Sequence, residues 1–329
     1  MKRIISAVLC AVMILSLAAC TSFKSSKEES AVVMNCGGYS VTYETWRYFT
    51  LKALDERKEN AGLEITDEFI ASDEGKALNE SILAEADESI KSLYAVFALA
   101  KEYGIDIENE AIIESANAAV ESQEASYESK RAYKKALEDE HMTKTVAHTV
   151  AVFDTVYSEI YEAMLNSGEI VTDREKLREI YFSDEFIRIK ELMFSVQKHS
   201  AGECRALADE AEEALRADFD SYVNKNGESL FMFKNSDGYY ITRGIWDIAL
   251  EDAAFSLGIG EISGVIEGGD GCRILMRAEK ESSYIDENES TLFDTYREGV
   301  FRRKIEDAVA GITLEKEPLC SEYTVYTMK

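Results

Sequence analysis

Residues 239–276 constrain the fold more than any other stretch, because several local signals follow one another closely: YYITRGIWDIALEDAAFSLGIGEISGVIEGGDGCRILM. An aromatic pair and an Arg-Gly turn precede a short segment with apolar residues at helical spacing. The run from Gly268 to Gly271 predicts a hairpin turn rather than a phosphate-binding loop, since no helix follows it. The apolar run 273–276 then predicts a strand. A tight turn of this kind joins antiparallel strands.

The part of the chain before this stretch has mostly helical periodicity. A hairpin with a Gly-Gly turn is expected over Ala31–Val41, and Thr42 should open a helix that ends near residue 59. Gly104 is the expected C-terminal cap of a long helix. The predicted helices after the first cover 78–103, 108–128, 130–140, 142–166 and a short segment from the cap Thr172 to Phe182. The only proline is Pro318, so the commonest helix breaker is missing from this region.

Three more elements flank the constraining stretch. Phe186–Val196 is strand-like, with branched and aromatic residues in partial alternation. Ala201–Ala217 has the pattern of a helix. A last amphipathic helix is expected over Ser290–Gly311, and its apolar stripe needs a partner surface.

Length and charge narrow the class of protein. The chain has 329 residues, enough for two domains with their own cores. Its formal net charge of −27 argues against nucleic-acid binding, which needs a basic surface.

The N-terminus predicts export. Residues 1–20 form a signal peptide, in which Lys2 and Arg3 precede an apolar run too short for a mature transmembrane helix. Leu17-Ala18-Ala19-Cys20 resembles a bacterial lipobox, which implies lipidation of Cys20 and an anchor on the extracytoplasmic face of the cell membrane. The alternative is an ordinary signal peptide in which Cys20 is incidental. Residues 21–30 are polar and indicate a flexible tether.

The order and spacing in 239–276 resemble the C-terminal half of a parvulin-type (rotamase) peptidyl-prolyl isomerase domain. The residues that carry the resemblance are Gly238, Arg243, Gly244, Glu251, Ala253, Ala254, Phe255, Leu257, Gly260, Glu261, Ile262 and Ser263. The whole chain is similar to PrsA-type and SurA-like exported foldase lipoproteins. The resemblance implies an α+β fold, with a parvulin-like module of a small antiparallel sheet and helices attached to a mostly helical, chaperone-like domain. The implied boundaries are 31–185 for the helical domain, completed by 288–312; 186–282 for the parvulin-like domain; and 283–329 for the C-terminal helix and tail.

The positions that matter for catalysis depart from the family pattern. Parvulins place two histidines on adjacent central strands, and these positions are Glu191 and Arg273 here, so no catalytic residue is assigned. The pocket Met and Phe of the family correspond to Trp246 and Leu250. The candidate substrate-binding residues are Trp246, Leu250, Phe255, Met193 and Tyr240. Core packing is the alternative for Leu250.

Because the two family positions lie on neighbouring strands, Glu191 and Arg273 are expected to form a cross-strand ion pair. An exposed pair would contribute roughly 0.2–1 kcal/mol. The resulting hypothesis is a degenerate parvulin with weak or absent isomerase activity. Activity through pocket shape alone is the alternative.

The resemblance implies a foldase that binds unfolded or newly exported polypeptides, with the helical domain as a candidate homodimer surface. The alternative is an adaptor lipoprotein that binds a single envelope partner through the parvulin-like groove. No cofactor is expected, and no metal site, since there are three histidines and no Cys-x-x-Cys spacing. Beside Cys20, four cysteines remain after removal of the signal peptide, Cys36, Cys204, Cys272 and Cys320, and three disulfide pairings stay open.

Overall fold

The computed structural model describes residues 27–227 and 238–328. The predicted signal peptide, Cys20 and most of the predicted tether lie outside the described residues. The chain divides into two compact units, one of residues up to Ala163 together with those from Ile305, the other of Met164–Lys304. The domain boundaries expected from the sequence, 31–185 and 186–282, stay predictions.

The first unit is helical with a small sheet. Its elements are β1 (Val32–Cys36), β2 (Tyr39–Thr42), α1 (Tyr43–Ala61), α2 (Asp67–Ala71), α3 (Asp73–Glu102), α4 (Glu110–Ala125), α5 (Lys130–Asp139), most of α6 (Lys144–Ser167), the end of α11 (Tyr284–Gly311) and β7 (Leu314–Lys316). A short 3₁₀ helix, Pro318–Glu322, follows β7. The predicted Gly-Gly hairpin is confirmed, because β1 and β2 pair antiparallel around Gly37 and Gly38, both with positive φ.

Long-range pairing adds a strand that the sequence pattern does not reveal. β7 pairs antiparallel with β1, which gives the sheet order β2-β1-β7. Three residues are too few to show a period, so only the partner strand identifies β7. The side chains of Trp46, Tyr133 and Ile160 are among the largest that this unit buries.

The second unit contains the other elements: α7 (Arg174–Phe182), β3 (Ile187–Ser195), α8 (Ala201–Ala217), α9 (Phe219–Asn226), β4 (Tyr239–Ile241), α10 (Ile248–Ser256), β5 (Ile266–Gly268), β6 (Gly271–Ala278) and the first part of α11. The strands form a four-stranded antiparallel sheet in the order β4-β3-β6-β5. Among the described residues no helix has both the length and the apolar character needed to cross a membrane. The predicted α+β class is confirmed.

Some predicted helix starts were wrong by a few residues. α3 begins at Asp73 rather than at residue 78. Asp173 rather than Thr172 caps α7, because the Asp173 carboxylate accepts the backbone N–H of Lys176 at 3.0 Å. The helix predicted over 290–311 is present, and a turn from Tyr284 precedes it, separated by a break at Asn288 where φ is −124°. Burial of Ile285 anchors this extra first turn.

The sheet of the second unit separates two apolar clusters. On one face, Leu192 and Phe194 of β3 and Ile274 of β6 pack against α8 and α9. On the other face, Ile187 and Ile189 of β3 pack with Leu275 of β6 against α10. The alternation along β3 therefore directs Glu191 and Met193 to the α10 face.

Candidate functional site

The candidate site lies on the α10 face, at the centre of the two longest strands. β3 and β6 pair so that Met193 is opposite Arg273 and Glu191 is opposite Leu275. Arg273 and Glu191 are therefore diagonal neighbours on one face of the sheet. Arg273 Nε donates to Glu191 Oε1 at 2.7 Å, which confirms the predicted cross-strand ion pair.

The ion pair is buried, so the energy given for an exposed pair does not apply to it. Only 9% of the Arg273 side chain and 1% of the Glu191 side chain are exposed. Both residues lie on the inner strands β3 and β6 of the four-stranded sheet, and their side chains point to the face that packs against α10. A buried pair is far less screened than an exposed one, but taking two charges out of water offsets much of its attraction.

A second carboxylate completes the hydrogen bonds of Arg273. Asp270, in the hairpin turn before β6, accepts Nη1 at 2.5 Å and also accepts Nη2. Each of the three guanidinium nitrogens thus donates to a carboxylate. The planar, charged guanidinium favours such multidentate pairing.

The electrostatics of the three groups follow from this geometry. The hydrogen bond from Arg273 holds the pKa of Asp270 below its usual range, and that bond raises the pKa of Arg273. Burial raises the pKa of Glu191, although the Arg273 charge opposes the shift. Among the described residues, Glu191 Oε2 has no hydrogen-bond partner.

Two carboxylates accept backbone hydrogen bonds at the turn before α10. Glu251, itself buried, accepts the N–H groups of Ile245 and Trp246 on Oε1 at 2.7 and 2.9 Å. Asp247 caps α10 by accepting the N–H of Leu250 at 3.0 Å. These contacts fix the turn that leads into α10.

A close backbone approach at Gly244 and a hydrogen bond of Ser263 also fix the surroundings of α10. A Cβ on Gly244, where φ is +87°, would lie 2.2 Å from the carbonyl oxygen of Gly299 in α11. Only glycine tolerates both this φ and this contact. Ser263 Oγ accepts the N–H of Leu275 at 2.9 Å, which ties the segment before β5 to the strand that carries Arg273.

The structure brings three of the candidate substrate-binding residues into one cluster. Leu250 is buried there, and Trp246 and Phe255 are partly buried against it. The guanidinium of Arg243 lies 4.5 Å from the centre of the Phe255 ring, and Trp246 meets Tyr239 edge to face.

Tyr240 and Met193 are placed differently. Tyr240 lies in a separate cluster, stacked on Tyr284 with ring centres 3.8 Å apart and on Tyr181 at 5.8 Å. Met193 is fully buried, and 6% of Leu250 is exposed, so neither offers a surface to a ligand in this structure. Contact of any of the five residues with a substrate stays a prediction.

Two exposed apolar residues next to this cluster were missed by the sequence analysis. Ile248 in α10 is 64% exposed, and Ile259, just after α10, is 67% exposed. Helical spacing could have indicated the exposure of Ile248. Ile248 is two residues before the buried Leu250 and therefore lies on the opposite side of the helix. No sequence signal distinguishes Ile259, which lies in the glycine-flanked turn Gly258-Ile259-Gly260.

Metal coordination has no structural support in the described ranges. Within residues 27–227 and 238–328, no three His, Cys, Asp or Glu side chains are grouped so that they could hold a metal ion. The histidines do not take part in the candidate site: His141 Nε2 pairs with Asp55 Oδ2 at 2.7 Å, and burial lowers the pKa of His148.

Comparison with known proteins yields structural matches only, since no family model and no curated protein matches this chain. The peptidylprolyl isomerase PrsA of Bacillus anthracis is 14% identical, and the match covers 68% of this chain and 96% of that chain with a TM-score of 0.35. The foldase protein PrsA of Streptococcus pneumoniae is 14% identical, covering 87% of this chain and 92% of that chain with a TM-score of 0.30.

A third structure, described as one of two SurA-like chaperones of Campylobacter jejuni, is 14% identical, covering 88% of this chain and 99% of that chain with a TM-score of 0.25. Because the three TM-scores lie below 0.5, activity and partners have to be argued from this chain's own residues.

Proposed function

We propose that this chain is an exported, membrane-anchored chaperone of the foldase type, with weak or absent prolyl isomerase activity. The observation that carries the proposal is the buried ion pair between Glu191 and Arg273, which stands where parvulins have their two histidines. The frame residues Gly244, Glu251 and Ser263 keep the contacts that such a module needs.

The ion pair argues against isomerase chemistry. Rotation about the prolyl amide has a barrier of ~18–20 kcal/mol, and a catalyst has to stabilise the twisted bond with groups that reach it. The Arg273 donors are taken by Glu191 and Asp270, and Glu191 is buried beneath the surface. Neither side chain is available to a peptide without breaking the pair.

Chaperone activity needs exposed apolar surface rather than reactive groups. Ile248 in α10 and Ile259 just after α10 supply such surface. An extended apolar segment of an unfolded client would gain roughly 25 cal/mol for each Å² that it buries there.

Isomerase activity can be tested on the chain from residue 21 by proline-limited refolding of an unrelated protein. We expect a rate at the uncatalysed background. The matched positive control is the double variant Glu191→His, Arg273→His, which restores the residue types of the family at both positions. A wild-type rate well above background would contradict the proposal.

Chaperone activity can be tested by suppression of aggregation of several unrelated unfolded proteins. We expect suppression by the wild-type chain and a clear loss in the variant Ile248→Asp, Ile259→Asp. Phe182→Asp is the control, because Phe182 is also exposed, at 52%, but belongs to α7. Suppression that is unchanged in the double variant would remove Ile248 and Ile259 from the client surface.

The alternative function is an adaptor that binds a single envelope partner. The burial of Met193, Leu250 and Glu191 favours it, because a filled site suits a structural relic better than a peptide groove. The two functions differ in how many proteins the chain protects. A chaperone would suppress the aggregation of several unrelated proteins, whereas an adaptor would not suppress the aggregation of any of them.

Anchoring through Cys20 on the extracytoplasmic face of the membrane is part of the proposal and is supported by the Leu-Ala-Ala-Cys run. We expect the wild-type protein in the membrane fraction of an expressing bacterium and a Cys20→Ser variant outside it. A processed Cys20→Ser protein that stays in the membrane fraction would contradict lipidation.

A further inference from the structure

The four cysteines of the described residues are all free thiols. Cys36 and Cys320 lie in the first unit, where Cys320 Sγ is 3.0 Å from the carbonyl oxygen of Val33. Val33 and Cys36 are three residues apart on β1, which corresponds to roughly 10 Å along a strand. Cys320 therefore lies near the other end of β1 from Cys36.

Cys204 and Cys272 lie in the second unit and belong to one apolar cluster. Cys204 points from α8 and Cys272 from β6 into the core between helix and sheet, and 0% of Cys204 and 3% of Cys272 are exposed. An ion pair also joins α8 to β5 beside these residues. Arg205, next to Cys204, binds Glu267 at 2.6 Å, and Glu267 is the residue directly opposite Cys272 in the pairing of β5 with β6.

The electrostatics of Cys272 agree with this placement. Burial raises the pKa of Cys272, and the next largest cause is the thiol of Cys204. For Cys36 and Cys320 the causes of the raised pKa do not include the other thiol. The shared core cluster thus distinguishes one pair among the four cysteines.

We propose that Cys204 and Cys272 are a disulfide site that links α8 to β6 when the chain folds in the presence of a disulfide oxidant. The inference relies on the proposed function only for export into a compartment where such an oxidant exists. It assigns one of the pairings that the sequence leaves open.

The chemistry is ordinary thiol–disulfide exchange. The thiolate of one cysteine attacks a sulfur of the oxidant, for example oxidised glutathione, and releases one reduced thiol in forming a mixed disulfide. The second thiolate then attacks the mixed disulfide and displaces the other half. The two cysteines lose two electrons and two protons, and the oxidant leaves as two thiols.

Burial determines when the bond forms. Inside the closed core, burial keeps reagents from both thiols and raises the pKa of Cys272, so oxidation belongs to the time before α8 packs on the sheet. After closure the same burial protects the bond from reductants. The link would hold the helix to the back of β6, the strand whose other face carries Arg273.

The test is disulfide mapping on the chain from residue 21, refolded with oxidised and reduced glutathione and alkylated under denaturing conditions. We expect a peptide pair joined through Cys204 and Cys272, with Cys36 and Cys320 alkylated. Alkylation of all four thiols, or a bond that includes Cys36 or Cys320, would overturn the proposal.

Single variants give a second measurement. Cys204→Ala and Cys272→Ala should each abolish the bond, and Cys36→Ala and Cys320→Ala should leave it in place. The oxidised chain can then be reduced under denaturing conditions and refolded without oxidant. This treatment should lower the Tm of the wild-type chain. The same treatment should leave the Tm of Cys204→Ala unchanged. An equal Tm before and after reduction would show that the thiols do not form a bond that holds α8. The aggregation and refolding assays of the proposed function do not depend on this outcome.

Discussion

Two buried glutamates lie on the α10 side of the sheet, and they differ in how completely their oxygens are used. Glu251 accepts two backbone N–H groups from the turn that leads into α10. Glu191 uses Oε1 for Arg273, while Oε2 has no partner. One carboxylate organises the backbone, and the other depends on a single side chain on the next strand.

The difference predicts how each glutamate responds to substitution. A carboxylate that satisfies backbone donors cannot be replaced without changing the turn, because buried N–H groups must be paired. A side-chain ion pair can be exchanged as a unit for apolar residues of similar volume, often without loss of stability. Single substitutions of Glu251 are therefore expected to lower the stability of the fold. Substitutions in the ion pair should lower it only when one partner is removed and the other remains.

Breaking the ion pair tests this contrast most strongly. Arg273→Met should lower the free energy of unfolding by about 3–5 kcal/mol, because Glu191 then stays buried without a cation. The double variant Glu191→Leu, Arg273→Met should recover most of the loss, since no buried charge remains. Chemical denaturation of the full set of variants measures both effects. A double variant as unstable as Arg273→Met would show that the pair has a structural role that apolar residues cannot fill.

Removing the other glutamate should have a smaller effect that no second substitution repairs. Glu251→Ala should lower the free energy of unfolding by about 2–3 kcal/mol, because two backbone N–H groups lose a charged acceptor. Glu251→Gln keeps an acceptor oxygen and should lose about 1 kcal/mol. Equal stabilities of the Ala and Gln variants in denaturation experiments would show that the turn does not depend on the acceptor.

The smallest effect is expected at Asp270, half of which is exposed. Its pKa is lower in the folded protein than the ordinary 3.8, so it contributes stability above that pH and loses the contribution as pH falls through the lowered pKa. Solvent screening limits this to about 1 kcal/mol or less. In thermal unfolding, the Tm of Asp270→Asn should be lower than that of wild type at neutral pH. The difference between the two Tm values should shrink below pH 3.8.

The matched control for Asp270 uses the background without the cation. In the variant Glu191→Leu, Arg273→Met, the change Asp270→Asn should have no effect on the Tm at any pH, since its partner is gone. A difference that persists in this background would assign the stabilisation to the hairpin turn itself.

Local sequence pattern predicted the elements and their order well. The Gly-Gly hairpin, the helix from Thr42, and the strand and helix that precede residue 218 lie where periodicity and turn residues placed them. The resemblance to parvulins also predicted Glu191 and Arg273 as neighbours, because the strand order of that family brings the two positions together, and the structure confirms the ion pair. The exposure of Ile248 could have been predicted from its helical spacing to Leu250, whereas no sequence signal distinguishes Ile259.

By itself the sequence determined the antiparallel hairpin at 268–271 and the helices and strands with clear periodicity, because each depends on residue type and near spacing. Only the tertiary structure decided that the ion pair between Glu191 and Arg273 is buried, that β7 joins β1, and that Cys204 and Cys272 lie in one core cluster. These three depend on register and on packing between residues far apart in the chain, where solvent exclusion and contact distance are set by the partner element rather than by the local sequence.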